Sequence, residues 1–322
     1  MRFIEPESPA VRPLLKWAGG KRQLLPKLRG YYPAKYQRYI EPFFGSGAVF
    51  FDLYSSGHLA GRRAWLMDDN VDLIGCYRML IDRTDEVVAA LGELARGHAA
   101  GGSAFYYEVR DQRFNPVRAS NPPYTPELAA MLIYMNRTGF NGLFRLNSLG
   151  AFNVPAGRYV NPRICDQAHL RAVAAALRAC DVTIEHGSFD RALAEAGRGD
   201  FVYCDPPYAP VSRTACFANY TANGFTSLDQ SRLQRALIGA ARRGASIVVS
   251  NSSTAEIEDL YSTPEVLRAH LRIERVRARR AINSRPDARG EIEELVITNT
   301  RPELRPRMLK ATLRPTRLRQ RA

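Results

Sequence analysis

The chain has 322 residues, of which 45% are hydrophobic and 24% are charged. These ordinary values exclude a collagen-like chain, a wholly disordered chain and a small disulfide-stapled scaffold. The length suggests about two domains, or one domain with a large insert. There are 46 lysines and arginines against 32 aspartates and glutamates. The resulting net charge of +14 favours a polyanionic partner, nucleic acid above all.

The sequence carries no sign of a membrane segment or a metal site. Segment 1–13 holds prolines and glutamates where a signal peptide needs an apolar run. The most apolar stretch, 128–135, has 8 residues, whereas a membrane-spanning helix needs about 20. The five cysteines are widely spaced, with no CxxC pair and no histidine at metal-ligand spacing. We therefore expect reduced thiols, no bound metal and a cytoplasmic location.

Short apolar runs alternate with helical patterns along the body of the chain. Segment 227–244 predicts a helix, with Ser227 and Gln230 as its capping box and Gly244 at its end. Because strands alternate with helices, we expect a doubly wound α/β sheet whose ligands bind beyond the carboxyl ends of the strands. The runs that predict strands are 38–43, 64–69, 182–186, 201–207, 246–251, 272–278 and 294–299, the last two joined by a turn-like segment at 283–290.

Two segments depart from this alternation. Residues 76–164 contain helical pieces but no clear buried strand, and are too long for a structureless loop. We expect them to form an inserted module that interrupts a domain made of 1–75 and 165–300. The last segment, 301–322, has seven arginines and one lysine against one glutamate. It predicts a flexible basic tail, either solvated without a task or acting as a non-specific DNA-binding arm.

A glycine turn follows the first predicted strand, in the sequence EPFFGSGAVF at 41–50. Gly45 and Gly47 let the backbone pass close to a ligand and turn into a helix. A carboxylate at the end of the next predicted strand, Asp68 or Asp69, can hold the two hydroxyl groups of a ribose. A dinucleotide fingerprint would need a third glycine where Phe50 stands. The pattern favours a nucleotide-like cofactor without a pyrophosphate cradle, and an ordinary tight β–α turn is the alternative.

The sequence DPPY follows another predicted strand, at 205–208. Proline fixes φ and removes a backbone donor, so the Pro206 carbonyl and the Asp205 carboxylate can both stand as acceptors. Tyr208 adds a flat aromatic face. Two acceptors beside a stacking face suit an exocyclic amino group on a planar base. The alternative is a proline-rich turn without a function.

Five motifs occur in an order that resembles the Dam family of S-adenosylmethionine-dependent DNA adenine-N6 methyltransferases. They are KWAGGK at 16–21, EPFxGxG at 41–47, NRxGxNG at 136–142, FNVPxGRY at 152–159 and YCDPPY at 203–208. The resemblance covers nearly the whole chain, from about Leu14 to about Asn299. It implies a Rossmann-like methyltransferase sheet, mostly parallel with one antiparallel strand near the C-terminus, and an inserted, mainly helical target-recognition domain.

The resemblance also implies partners and residue roles. It implies S-adenosyl-L-methionine as cofactor, double-stranded DNA as partner, no metal and no obligate protein partner, in a bacterial cytosol or nucleoid or encoded by a phage. GATC is the family's usual target and is the leading expectation. The implied catalytic residues are Asp205, Pro206, Pro207 and Tyr208. The implied cofactor-binding residues are Trp17, Lys21, Glu41, Phe43, Gly45, Gly47, Asp68, Ser188, Phe189 and Asp205. The implied DNA-binding residues are Arg137, Phe140, Asn141, Leu143 and Arg145, with Asn136 beside them.

The mechanism implied is base flipping followed by direct in-line transfer of the methyl group. One alternative is a catalytically inert DNA-binding protein on the same fold, which the intact DPPY and glycine turn disfavour. Another is an oxidoreductase with a nucleotide cofactor, which Phe50 and the positive charge disfavour. Cytosine-N4 methyltransferases have similar pockets but usually carry serine in place of Asp205. Charge alone does not separate an RNA substrate from DNA.

Overall fold

The computed structural model describes residues 10–17, 19–179, 181–208, 225–279 and 291–301. The predicted basic tail lies outside these ranges except for its first residue, as does the predicted turn at 283–290. Cys180 and Cys216 also lie outside them.

Seven strands form one sheet in the order β3-β2-β1-β4-β5-β7-β6. Strands β1 to β5 are parallel to their neighbours, and β7 runs antiparallel to both β5 and β6. This confirms the predicted fold class, including the one antiparallel strand near the C-terminus. Each strand also overlaps a predicted apolar run. The strands are β1 (Arg38–Glu41), β2 (Arg63–Asp68), β3 (Asp181–His186), β4 (Asp200–Cys204), β5 (Ser246–Ser252), β6 (Arg272–Arg279) and β7 (Glu291–Thr298).

Eleven α-helices lie among the described residues, with a π-helical turn at Val109–Phe114 and 3-10 turns at Lys21–Gln23, Arg29–Tyr31 and Phe140–Gly142. The α-helices are α1 (Leu25–Leu28), α2 (Ala48–Ser55), α3 (Val71–Asp82), α4 (Thr84–Glu108), α5 (Asn115–Ala119), α6 (Pro126–Thr138), α7 (Gln167–Ala179), α8 (Phe189–Glu195), α9 (Ser227–Arg242), α10 (Ala255–Tyr261) and α11 (Pro264–Arg268). None of the helices described is long and apolar enough to cross a membrane.

The predicted helix at 227–244 is α9, but its capping box was predicted one residue too late. Thr226 is the N-cap, and its side chain and backbone exchange hydrogen bonds with those of Asp229. Threonine and serine are both good N-caps, so the spacing alone did not separate the two frames. Gln230 is buried and turned inward instead. Gly244 follows the helix with φ +95, the left-handed conformation that favours glycine at this place.

The segment 76–164, all of which is described, begins inside α3, holds helices α4 to α6 with the π-helical turn and one 3-10 turn, and contains no strand. Its buried side chains, such as Leu91 and Tyr134, belong to the same hydrophobic cluster as Tyr39 and Phe201 of the sheet. The helices therefore pack on one sheet face rather than around a separate core. The division of the chain into two domains stays a prediction.

The sheet topology fixes where a ligand can bind. The strand order changes direction between β1 and β4: the connection that leaves β1 leads to β2 on one side, and the connection that leaves β4 leads to β5 on the other. In open α/β sheets this switch point leaves a crevice beyond the carboxyl ends of the strands. The glycine turn after β1 and the DPPY motif after β4 both begin at this crevice.

Candidate functional site

A cavity of about 390 Å³ lies at this switch point. The size is typical of a small-molecule site. The predicted residues that line it are Trp17, Lys21, Glu41, Phe43, Gly45, Asp68, Ser188, Phe189, Asp205, Pro206, Pro207 and Tyr208. The wall also contains residues that were not among the predicted site residues, such as Tyr203, Phe225, Asp229 and Arg232.

Gly45 lets the N-terminal segment approach the turn after β1. It has φ +50, and a Cβ atom there would lie 3.2 Å from Cδ1 of Trp17. The Trp17 ring in turn stacks on Phe144 of the insert, with centroids 5.6 Å apart. A side chain at position 45 would therefore push Trp17 away from the cavity wall.

Gly47 is the one predicted cofactor residue that does not line the cavity. It is the N-cap of α2 with φ +70, and a Cβ atom would lie 2.5 Å from the Phe44 ring. Its task is to shape the turn that delivers the cavity-lining residues, because no larger residue fits this conformation and this contact.

Asp68 organises the turn through both carboxylate oxygens. The backbone N–H of Gly45 donates to Oδ2 over 2.8 Å, and the N–H of Asn70 donates to Oδ1 over 2.9 Å. A carboxylate offers about four lone-pair positions, so acceptor capacity remains on the cavity side. Burial raises the pKa of Asp68 to about 6, although both backbone donors act to lower it. Asp69, by contrast, has a side chain that is 69% exposed.

Lys21 lies inside the cavity wall beside Asp205. Its side chain is 6% exposed, and Nζ lies 2.9 Å from Asp205 Oδ1 and 4.4 Å from the centroid of the Tyr208 ring. Nζ also donates to the Gly19 carbonyl over 2.6 Å. Burial raises the pKa of Asp205, and Lys21 opposes this shift. The Lys21 ammonium group thus contacts both the acceptor and the aromatic face of the DPPY motif, Asp205 and Tyr208.

Two further side chains hold the acidic groups of this region. Ser250 Oγ donates to Asp205 Oδ1 over 2.9 Å and lies 2.9 Å from the Tyr203 hydroxyl. On the β1 side, the Tyr39 hydroxyl donates to Glu41 Oε2 over 2.8 Å. Burial raises the pKa of Glu41 well above its usual range.

The rest of the DPPY motif is held by elements that follow it in the chain. Gln230 Nε2, on α9, donates to the Pro207 carbonyl over 3.0 Å. The Tyr208 hydroxyl donates to Glu294 Oε2, on β7, over 2.7 Å. Sequence reasoning missed both residues and Ser250, because a lone Gln, Glu or Ser in a helix or strand gives no signal. For Ser250 the one available signal was its position near the end of the predicted strand 246–251, because ligands bind beyond the carboxyl ends of such strands.

Aromatic side chains form one end of the cavity. The rings of Phe43 and Phe189 stack with centroids 5.4 Å apart, and Phe225 lies edge-on to Phe43 at 5.8 Å. The Arg232 guanidinium lies 4.9 Å from the Phe189 centroid and pairs with Asp190 at 3.2 Å. This end of the cavity suits a flat, apolar ring.

The cavity chemistry fits a cation that carries a nucleoside. The carboxyl groups of Glu41, Asp68 and Asp205 converge on it, each with a pKa raised by burial. A cationic ligand would relieve the cost of their charges. The aromatic end can cover a base, while Asp68 can accept from ribose hydroxyls. No group of side chains able to hold a metal ion occurs among the described residues.

Two of the insert residues expected at a DNA surface turn inward. Asn136 accepts from the Lys16 N–H over 2.8 Å and donates to the carbonyl groups of Lys16 and Gly142. Arg137 donates to the Leu14 carbonyl over 2.7 Å. Both side chains therefore tie the N-terminal segment to the insert. DNA contact by Arg137 stays a prediction.

The other predicted insert residues lie on or near the surface. Phe140 is 48% exposed, and Asn141 is exposed with φ +55 in a tight turn. Leu143 is half-buried against the main hydrophobic cluster. Arg145 is exposed, and its Nε donates to Asn153 Oδ1 over 2.7 Å across a short hairpin. The structure thus brings Phe140, Asn141 and Arg145 to a solvent-facing surface.

Comparisons with known proteins identify the relatives of this chain. The family described as D12 class N6 adenine-specific DNA methyltransferase matches residues 17–282. A type II methyltransferase of Lactococcus lactis, M1.LlaDCHI, is 37% identical over 93% of this chain and 99% of its own length. M.MjaIII of Methanocaldococcus jannaschii is 36% identical over 90% and 99%. A DNA adenine methylase of Escherichia coli is 36% identical over 88% and 94%.

Proposed function

Because the chain belongs to the D12 class of N6 adenine-specific DNA methyltransferases, we propose that its cavity holds the methyl donor beside an adenine flipped out of duplex DNA. N6 would attack the methyl carbon directly, the bond from that carbon to sulfur would break to leave a neutral thioether, and N6 would lose one proton to solvent, with no covalent enzyme intermediate. The observation that carries this proposal is the position of Asp205, whose carboxylate and neighbouring Tyr208 ring face one cavity together.

The chain is a DNA adenine methyltransferase, and S-adenosyl-L-methionine is its methyl donor. When bound, this donor supplies an electrophilic methyl group on a positively charged sulfur. We infer that Asp68 holds the ribose hydroxyls of the donor and that Phe43 and Phe189 cover the adenine ring of the donor. Glu41 and Trp17 would line the methionine end, where the carboxyl groups favour a positive charge.

Asp205 prepares the adenine amino group for attack. The amino lone pair is delocalised into the ring, so N6 is a poor nucleophile. Hydrogen bonds from its two N–H groups to the Asp205 carboxylate and the Pro206 carbonyl would favour a pyramidal nitrogen. The Asp205 charge also stabilises the positive charge that develops on N6 during transfer.

Lys21 occupies the place that this amino group needs. Its Nζ donates to Asp205 Oδ1 and lies against the Tyr208 ring. These are the two contacts that we assign to the target adenine. The base and the ammonium group do not fit there together, so Lys21 swings aside when the base enters. Until then its charge opposes the rise that burial causes in the pKa of Asp205.

The insert supplies recognition of the target in this proposal. Exposed Phe140 can wedge into the base stack, and exposed Arg145 can bind guanine bidentately. GATC is the target we expect.

Replacing Arg145 with alanine is expected to relax the choice of target site. If the guanidinium binds a base, its loss costs about 1–3 kcal/mol of discrimination. Methylation rates on duplexes with single substitutions in the target measure the change. Asn153→Ala is the matched control, because it removes the hydrogen bond across the hairpin but leaves the arginine. Unchanged discrimination in Arg145→Ala would remove this residue from the recognition surface.

Affinity for S-adenosylmethionine is expected to rise between pH 5 and pH 7. The pKa of Asp68 is about 6 in the free protein, so the carboxylate that accepts ribose hydroxyls is protonated below that pH. The limiting slope is about tenfold in Kd for each pH unit below 6. Calorimetric titration at several pH values measures it. In Asp68→Asn this part of the pH dependence should vanish; a slope that persists unchanged assigns the titration to another group.

A labelling experiment tests the proposed function. The purified protein is incubated with methyl-labelled S-adenosylmethionine and unmethylated duplex DNA. One portion of the DNA is digested to nucleosides to identify the labelled base, and another portion is sequenced to locate the modified positions. Label in N6-methyladenine at GATC is the expected result. Label at another motif replaces the target, whereas label in N4-methylcytosine, or no label in DNA, overturns the substrate assignment.

A further inference from the structure

The ring of Tyr208 is held at its far end by a residue outside all five sequence motifs. The Tyr208 hydroxyl donates to Glu294 Oε2 over 2.7 Å, while Lys21 Nζ lies over the ring face. A tyrosine ring turns about two side-chain torsions. A fixed hydroxyl therefore also fixes which way the ring face points into the cavity.

The register of the sheet places Glu294 beside the site. Glu294 on β7 pairs with Ser252 on β5, and Val296 pairs with Ser250. Because directly opposite residues and those two apart share a face, all four side chains lie on one side of the sheet. Ser250 is the side chain that donates to Asp205. The anchors of Asp205 and Tyr208 thus come from neighbouring positions of adjacent strands.

We propose that Glu294 is a positioning residue for the target base: by accepting the hydrogen bond of Tyr208, it sets the orientation of the ring on which the flipped adenine stacks. This inference rests on the proposed function and adds a residue to it. Burial raises the pKa of Tyr208 well above its usual value, with Asp205 and Glu294 acting in the same direction. The hydroxyl therefore stays protonated and remains a donor to Glu294.

Four variants test the proposal: Glu294→Leu, Glu294→Gln, Glu293→Leu and Tyr208→Phe. Because misplacing a stacking group by about 1 Å can cost 10²-fold, we expect Glu294→Leu to lower kcat about 10- to 100-fold. The Kd for S-adenosylmethionine should not change. Glu294→Gln should retain most of the activity, because its amide oxygen still accepts the hydrogen bond. Glu293→Leu is the matched control, since Glu293 lies on the other sheet face and pairs with Arg275 at 3.6 Å.

A double-mutant cycle separates positioning from a general loss of structure. In a Tyr208→Phe background, adding Glu294→Leu should cause little further loss of kcat, because the hydrogen bond is already absent. The fluorescence of 2-aminopurine at the target position reports base flipping and should fall in Glu294→Leu but not in Glu293→Leu. Should Glu294→Leu not fold, Tyr208→Phe and Glu294→Gln carry the comparison.

Three results would overturn the inference while the wild-type protein methylates adenine. They are full activity of Glu294→Leu, full activity of Tyr208→Phe, and equal losses in Glu294→Gln and Glu294→Leu, which would point to charge instead of the hydrogen bond. A wild-type protein that does not methylate adenine would overturn the proposed function itself, and the same assay reports that separately.

Discussion

Replacing Asp205 with alanine is expected to abolish methyl transfer while S-adenosylmethionine still binds. The carboxylate is the acceptor that orients N6 and the charge that stabilises it in the transition state. Removing a comparable preorganised group costs about 10²–10³-fold in kcat, or about 3–4 kcal/mol, and Asp205 has both tasks. Single-turnover methylation at saturating DNA and cofactor measures the loss, and calorimetry measures binding.

The variant Asp205→Asn separates a loss of catalysis from a loss of folding stability. Asp205→Ala leaves the buried ammonium of Lys21 without its carboxylate partner, which can destabilise the fold by about 3–5 kcal/mol. Asp205→Asn keeps the shape and one acceptor, so it should fold better and still lose most of the activity. Asp200→Asn is the matched control on β4, the strand that leads into Asp205: it breaks the ion pair with Arg38 at the other end of that strand. Normal turnover in Asp205→Asn and Asp205→Ala would end the assignment of the DPPY motif.

Replacing Asp68 with alanine is expected to weaken binding of S-adenosylmethionine about 100-fold, which is about 2.7 kcal/mol. Hydrogen bonds to a charged group contribute about 1.5–3 kcal/mol each, and part of the loss of the two ribose contacts is offset because water can reach the freed hydroxyl groups. The variant also loses the acceptor for the backbone N–H of Gly45, which holds the glycine turn in place. Asp68→Asn keeps one acceptor oxygen for that turn, so comparing the two variants separates ribose binding from turn geometry.

Asp69→Ala is the control that the sequence itself provides. Asp69 is adjacent in the chain, lines the same cavity and has a largely exposed side chain. If Asp68 binds the ribose, Asp69→Ala should change the Kd by no more than about threefold, the usual scale of an exposed charge. A larger loss in Asp69→Ala than in Asp68→Ala would reverse the assignment of these two carboxylates.

Local patterns in the sequence predicted most of the fold. Short runs that end at turn residues located the seven strands of the described sheet. The signal is clearest for β1, β2, β4 and β5, because a buried parallel strand is apolar along its length. Where two residues of similar capping ability stand together, as at Thr226 and Ser227, local pattern did not fix the frame. The inward orientation of Asn136 and Arg137 was also not predicted, because a polar residue gives no sign of which way packing turns it.

The sequence by itself determined the elements and the two motifs at the strand ends. A glycine turn and a DPPY segment are local features, since φ angles, missing Cβ atoms and strand ends depend on neighbouring residues. Only the tertiary structure decided which residues hold those motifs in place. Glu294 meets Tyr208 because the antiparallel register of β7 on β5 places it near the carboxyl ends of the central strands, and Lys21 meets Asp205 because the N-terminal segment packs against the turn after β1. Such contacts depend on which strands pair, and no local pattern encodes that choice.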